Sequence, residues 1–94
     1  AQGVASLELT FPLDIDPEQV RNLLLDTFRE HETILEKPAP VVRFSQLKPE
    51  GITLTVTGYV SSPRMVVSIK SELLFEILKR LGAAGIELAK PPTA

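Results

Sequence analysis

The chain has 94 residues, of which 44% are hydrophobic and 23% charged, with a net charge of −2. That composition describes one globular domain of small size without the basic face a nucleic-acid partner requires. The absence of cysteine excludes disulfides, thiolate metal sites and cysteine nucleophiles, and leaves the redox compartment open.

No apolar run approaches the ~20 residues needed to cross a bilayer, and the N-terminus carries no signal-peptide pattern. The chain begins Ala1-Gln2-Gly3 without a methionine and is expected to be cut from a longer protein, whose membrane part would lie outside it.

Residues 4–13 alternate. Leu7, Leu9, Phe11 and Leu13 point one way, and Ser6, Glu8, Thr10 and Pro12 the other, which predicts a half-buried first strand, β1. Asp16-Pro17-Glu18 is a helix start, with Asp16 as cap, Pro17 at the first helical position and Glu18 in the first turn. Helix α1 is expected to run to His31 and to bury Val20, Leu23, Leu24, Thr27 and Phe28, with Ile34 and Leu35 folding back over its end. Pro38 and Pro40 hold the residues before them extended and lack an N–H, so they form a stiff lead-in to an edge strand, β2, over residues 41–47.

Lys48-Pro49-Glu50-Gly51 reads as a turn into β3, residues 51–60. There Ile52, Leu54 and Val56 share one face, while Thr53, Thr55, Thr57 and Tyr59 share the other. Ser61-Ser62-Pro63 ends that strand. Residues 65–83 combine β-branched residues with helical spacing at Val66, Ile69, Leu73, Ile77 and Leu81, and the spacing predicts one long helix, α2. Lys79 and Arg80 suit its last turns, and Gly82 or Gly85 can supply a left-handed cap. A short last strand, β4, is expected at residues 86–89, stopped by Pro91-Pro92.

The order β-α-β-β-α-β with right-handed crossovers predicts an α+β, ferredoxin-like sandwich. Its four-stranded antiparallel sheet would run 4-1-3-2 with both helices on one face. The expected core is Leu9, Leu23, Phe28, Leu54, Leu73 and Ile77. The other sheet face carries Thr, Ser, Glu8, Arg43 and Tyr59, and is polar enough to meet water or a polar partner.

No catalytic, cofactor-binding or metal-binding residue is expected. His31, the only histidine, reads as a solvated helix-end residue, since Glu30 and Glu32 beside it point to different helix faces. Asp14 and Asp16 lack further oxygen ligands at a suitable spacing. Ser61-Ser62 has no base in reach and reads as a turn. Gly82-Ala83-Ala84-Gly85 ends a helix and lacks the Lys-Ser/Thr of a phosphate loop. Phe44 and Tyr59 lack the aromatic trio and basic platform of an RNA-binding sheet. Lys70-Ser71-Glu72 and residues 76–80 read as the solvated face of α2, with Glu72–Glu76 mildly repulsive and Glu76–Arg80 attractive.

The serial order of residues resembles the cytoplasmic C-terminal α/β domain of the small-conductance mechanosensitive channel (MscS) family, over about residues 4–92. Asp16-Pro17-Glu18 with Val20, His31 leading to Ile34-Leu35, and Pro38-Ala39-Pro40 carry the resemblance. So do the hairpin ending at Val60, Ser71-Glu72-Leu73 and Ala84-Gly85-Ile86. Two features depart from it: Tyr59 stands where the family often has Trp, and the polar stretch and barrel strand that usually follow the last prolines are missing after Ala94.

The resemblance implies a structural part of the cytoplasmic cage beneath the pore of a homo-oligomeric, typically heptameric, channel in the bacterial inner membrane. That channel releases solutes on osmotic downshock. As an isolated piece the domain is expected to be a monomer or a weak oligomer. A free-standing ferredoxin-like regulatory domain binding a small ligand is the alternative. An acylphosphatase-type hydrolase lacks its Arg–Asn loop, because Asn22 lies within the predicted α1.

Overall fold

A computed structural model describes residues 2–91. Strand β1 spans Gly3–Phe11, helix α1 Pro17–Glu30, β2 Val41–Lys48, β3 Gly51–Val60 and α2 Val66–Ala83. A 3₁₀ turn, Pro63–Met65, leads into α2. The class is α+β. Among the described residues the sheet is three-stranded and antiparallel, in the order β1-β3-β2.

Along β1, residues Ala5, Leu7 and Phe11 are buried and Leu9 half-buried, opposite Gly58, Val56, Ile52 and Leu54 of β3. The period-two pattern therefore survives in full on the strand pair that carries the core. The helices pack on that one face, with Val20, Leu24, Thr27 and Phe28 of α1 and Ile69, Leu73, Ile77 and Leu81 of α2 turned inward. Of the six expected core residues, Phe28, Leu54, Leu73 and Ile77 are buried; Leu9 and Leu23 are half-buried against them. Leu13 is exposed, because the strand ends at Phe11 and the chain turns before residue 13 can face the helices.

The ends of the helices explain themselves. Asp16 Oδ1 accepts the backbone N–H groups of Glu18 (3.0 Å) and Gln19 (3.3 Å), and Pro17 fills the first helical position. At the end of α2, Gly85 takes φ +71°. Ile86 N–H then reaches Leu81 C=O at 2.9 Å and Gly85 N–H reaches Gly82 C=O at 3.1 Å, the Schellman pattern that satisfies the last carbonyls. Gly85 is thus the capping glycine, and Gly82 lies inside the helix.

The expected fourth strand at residues 86–89 does not form, so the four-stranded ferredoxin-like order 4-1-3-2 is not found: among the described residues the sheet has three strands. Ala89 N–H does donate to Thr10 C=O at 2.9 Å, at the free edge of β1. An antiparallel ladder continued from that bond would next call on the N–H groups of residues 91 and 12. Both are proline, so the pairing ends where it begins.

The proline junction is an extended loop whose Lys37–Pro38 peptide is cis and whose Pro40 is buried. Leu35 N–H bonds Tyr59 C=O at 2.8 Å, and Ile34 is buried in the core, so the loop folds back over the end of α1 as expected. β2 is the edge strand that the prolines predict, and a bulge at Ser45 interrupts its pairing with β3.

Replacing Leu54 or Ile77 by Ala should cost about 2–5 kcal/mol of stability, because each leaves a cavity among buried neighbours. Leu47→Ala, on an exposed side chain, should change stability by less than about 0.5 kcal/mol. Urea unfolding of the three variants measures both; equal losses at all three sites would mean the faces are wrongly assigned.

Candidate interaction surfaces

On the sheet face away from the helices, hydroxyls pair across the strands: Ser6 with Thr57 (3.1 Å), Thr10 with Thr53 (3.0 Å), and Ser45 with Thr55. Glu8 and Arg43 flank Thr55 from its two neighbouring strands. This face is polar over most of its length, with exposed Val4 and Val41 on the same side near Tyr59 at one end. It matches the polar face expected from the alternation.

The helix side of β2 is different. The bulge sets Phe44 opposite Leu54 and Leu47 opposite Ile52, both inward positions of β3. Had the register before the bulge continued unbroken, Leu47 would fall opposite Gly51 on the open face. Yet Phe44 is 51% and Leu47 71% exposed, since α1 and α2 leave this end of the edge strand uncovered.

A second apolar surface lies along α2. Val67, Leu74, Phe75 and Leu78 are exposed by 81, 44, 78 and 67%. Their spacing of seven, eight and eleven residues from Val67 places them on one stripe, separate from the buried Ile69–Leu73–Ile77–Leu81 row. Lys70 and Ser71 border it, around an open groove of about 450 Å³. The exposed Glu72 and Lys79 keep a solvated face on α2, and the apolar stripe runs beside it as a second exposed face that the reading of the charged residues did not include. The signal was present in the sequence as a second set of helically spaced hydrophobic residues.

Polar groups tie α1 to α2. His31, the C-cap of α1, is not the solvated residue expected; its side chain is 16% exposed. Its Nε2 meets Glu72 Oε1 at 2.8 Å, while Nδ1 accepts the backbone N–H of Thr33 at 3.2 Å. With Nδ1 accepting, the proton sits on Nε2 and is donated to Glu72. Farther along, Arg80 donates from Nε to Glu76 Oε2 (2.8 Å) and from Nη2 to Glu30 Oε1 (2.7 Å). The expected Glu76–Arg80 attraction forms. Glu72 and Glu76 each take a partner of their own, which offsets their mutual repulsion.

The remaining large concavity is a broad cleft of about 900 Å³ between the start of α1 and the segment after α2. Asp14, Asp16 and Lys90 line it beside Ile15 and Ile86. Asp16 is already engaged as the cap, and Asp14 sits in the turn before it. Ser61 and Ser62 lie between β3 and the 3₁₀ turn, with Ser61 Oγ against Met65 Sδ. Among the described residues, no group of three or more acidic, histidine or cysteine side chains is placed to hold a metal ion, and no helix is long and apolar enough to cross a membrane.

The hydrogen bond from Arg80 holds the Glu76 carboxyl below its ordinary value, helped by the charges of Arg80 and Lys79 and opposed by burial. Glu76 first, then Glu30, holds Arg80 more firmly protonated. A lowered carboxylate pKa contributes stability above the unfolded-state value, lost as pH falls through the folded-state value. Glu76→Gln should therefore lower the melting temperature slightly at pH 7, and the difference from the parent should vanish below the carboxylate range. Added salt should shrink it at pH 7. Thermal melts across pH and salt check this; a difference that persists in acid would point to packing instead.

Residues 5–88 match the family described as mechanosensitive ion channel MscS, C-terminal. No curated protein sequence matches the chain. Among solved structures, it is similar to Helicobacter pylori MscS in the closed state, with a TM-score of 0.85 at 19% identity over 100% of this chain and 38% of that one. It is also similar to MSL1 of Arabidopsis thaliana, with a TM-score of 0.79 at 19% identity over 96% of this chain and 34% of that one. The chain thus spans little more than a third of the proteins it resembles in fold. With the family match covering nearly all of it, the chain belongs to the MscS mechanosensitive ion channel family, of which it forms the C-terminal domain.

Proposed function

We propose that this domain is a wall unit of the cytoplasmic cage beneath the pore of a homo-oligomeric mechanosensitive channel. The channel would sit in a bacterial inner membrane and release small solutes on osmotic downshock. The ring would have seven copies in the full-length protein, held by membrane and middle segments outside this chain. The domain's role is structural: it shapes the vestibule and keeps neighbouring subunits in register, without catalysis or a cofactor. The observation that carries this reading is the match of residues 5–88 to the C-terminal domain of the family.

The surfaces support it. The hydroxyl-paired sheet face suits contact with an aqueous vestibule. Two separate apolar patches, on α2 and on β2, suit a unit with a neighbour on each side. His31–Glu72 and Glu30–Arg80 tie the helices together, so the wall unit can transmit load as one body.

Replacing the matching segment of Helicobacter pylori MscS by residues 5–88 tests the reading. The chimera should assemble, conduct under membrane tension and protect a channel-deficient host from downshock. A chimera with a folded domain but no tension-gated current would overturn it. The isolated chain should scatter light as a monomer or weak oligomer at low micromolar concentration, since linked subunits in a ring meet at high effective concentration and free domains do not. A tight symmetric dimer, or a turnover abolished at His31 or Glu72, would contradict a wall role.

A further inference from the structure

We propose that the exposed stripe of α2 on one copy of the chain seats on the uncovered helix side of β2 on a second copy. This rests on the reading of the chain as a unit of a homo-oligomer, and it names the contact.

Three observations carry it. The two helices cover the inner faces of β1 and β3 but leave Phe44 and Leu47 of β2 bare, so the helix layer is one helix short at that edge. β2 is also one of the sheet's two outer strands, and covering such an edge with a helix is a common way to protect it. The same chain carries a helix with a spare apolar stripe, Val67, Leu74, Phe75 and Leu78, so each copy holds both the missing helix face and the place for it.

The geometry selects a head-to-tail contact over a symmetric one. Two stripes pairing about a two-fold axis would bury one patch and leave Phe44 and Leu47 bare on both copies. Stripe against edge covers both patches and leaves the next copy the same choice, the arrangement that builds rings. Lengths agree as well: Phe44 to Leu47 extends about 10 Å along the strand, within the span of about 16 Å from Val67 to Leu78 along the helix. The two patches together offer on the order of 700 Å² of apolar surface, short of the ~1,000 Å² expected of a stable free-standing interface. The contact is therefore weak between free domains and holds when other segments keep copies together.

The chain has no cysteine, so single thiols can be placed at will. Leu47→Cys and Leu78→Cys both change exposed residues and should leave the fold intact. Mixed at high concentration with a short bis-maleimide, they should give several-fold more 47–78 product than either 47–47 or 78–78. Adding Phe75→Glu to the Leu78→Cys chain should reduce that product at least tenfold, with the melting temperature unchanged. Dominance of the 78–78 product would mean the stripes face each other, and a 47–78 yield no higher than random collision would mean another occupant takes the stripe; either result overturns the contact. If the product is absent while the channel chimera assembles and conducts, this contact fails and the wall reading stands. A folded chimera that does not conduct removes the wall reading and this contact with it.

Discussion

The fold depends on one close approach, the ring of Phe28 lying on Gly58. A Cβ built at Gly58 would stand 2.7 Å from the ring and 3.3 Å from Ile34 Cδ1. Opposite Gly58 on β1 is Ala5, so two small residues make a shallow seat near the end of β3. The helix face that includes Phe28 can therefore settle at close-packed distance, as a dense core requires. Once α1 is set, His31 caps it, Ile34 drops into the same seat, and Leu35 bonds to Tyr59. That fixes where the proline junction runs and where β2 begins. A glycine that weakens strand propensity locally is repaid by the placement of everything after α1.

The same dependence shows what was legible in the sequence. Local rules were: the Asp16-Pro17 cap, the alternation of β1 and β3, the edge character announced by Pro38 and Pro40, and a glycine stop for α2 at Gly82 or Gly85. Each is decided by a few consecutive residues. The fourth strand failed because pairing is a property of two segments: Pro12 and Pro91 look harmless apart and block the ladder only when Ala89 lies beside Thr10. The His31–Glu72 pair joins residues 41 apart, which no spacing rule reaches. The stripe on α2 was legible but masked, because its residues alternate with the charged ones that suggested a solvated face.

The distribution of polarity is uneven in an informative way. The sheet's open face satisfies its own hydroxyls across strands, so it asks little of a partner. The buried Thr27 is satisfied too, its hydroxyl donating to Leu23 C=O at 2.7 Å. Among the described residues no buried side-chain nitrogen or oxygen lacks a partner. What remains exposed is apolar: Phe44, Leu47 and the α2 stripe, with Val4, Leu13, Val41 and Leu88 more scattered. Scattered exposed hydrophobics are ordinary on a small domain, but stripes of this extent mark contact surfaces.

A three-stranded sheet under two helices cannot cover itself completely, and this chain leaves the gap at its edge strand. Filling the gap with a third helix would make a more stable free domain. It would also remove the surface on which the proposed contact between copies rests. The bulge at Ser45 bears on this choice, since it spends a residue to keep Leu47 on the helix side where a neighbour can reach it. Had the register before the bulge continued, Leu47 would have faced the polar side of the sheet opposite Gly51, where an apolar side chain gains little. The irregular register is thus better explained by what β2 presents outward than by anything it packs against within the domain.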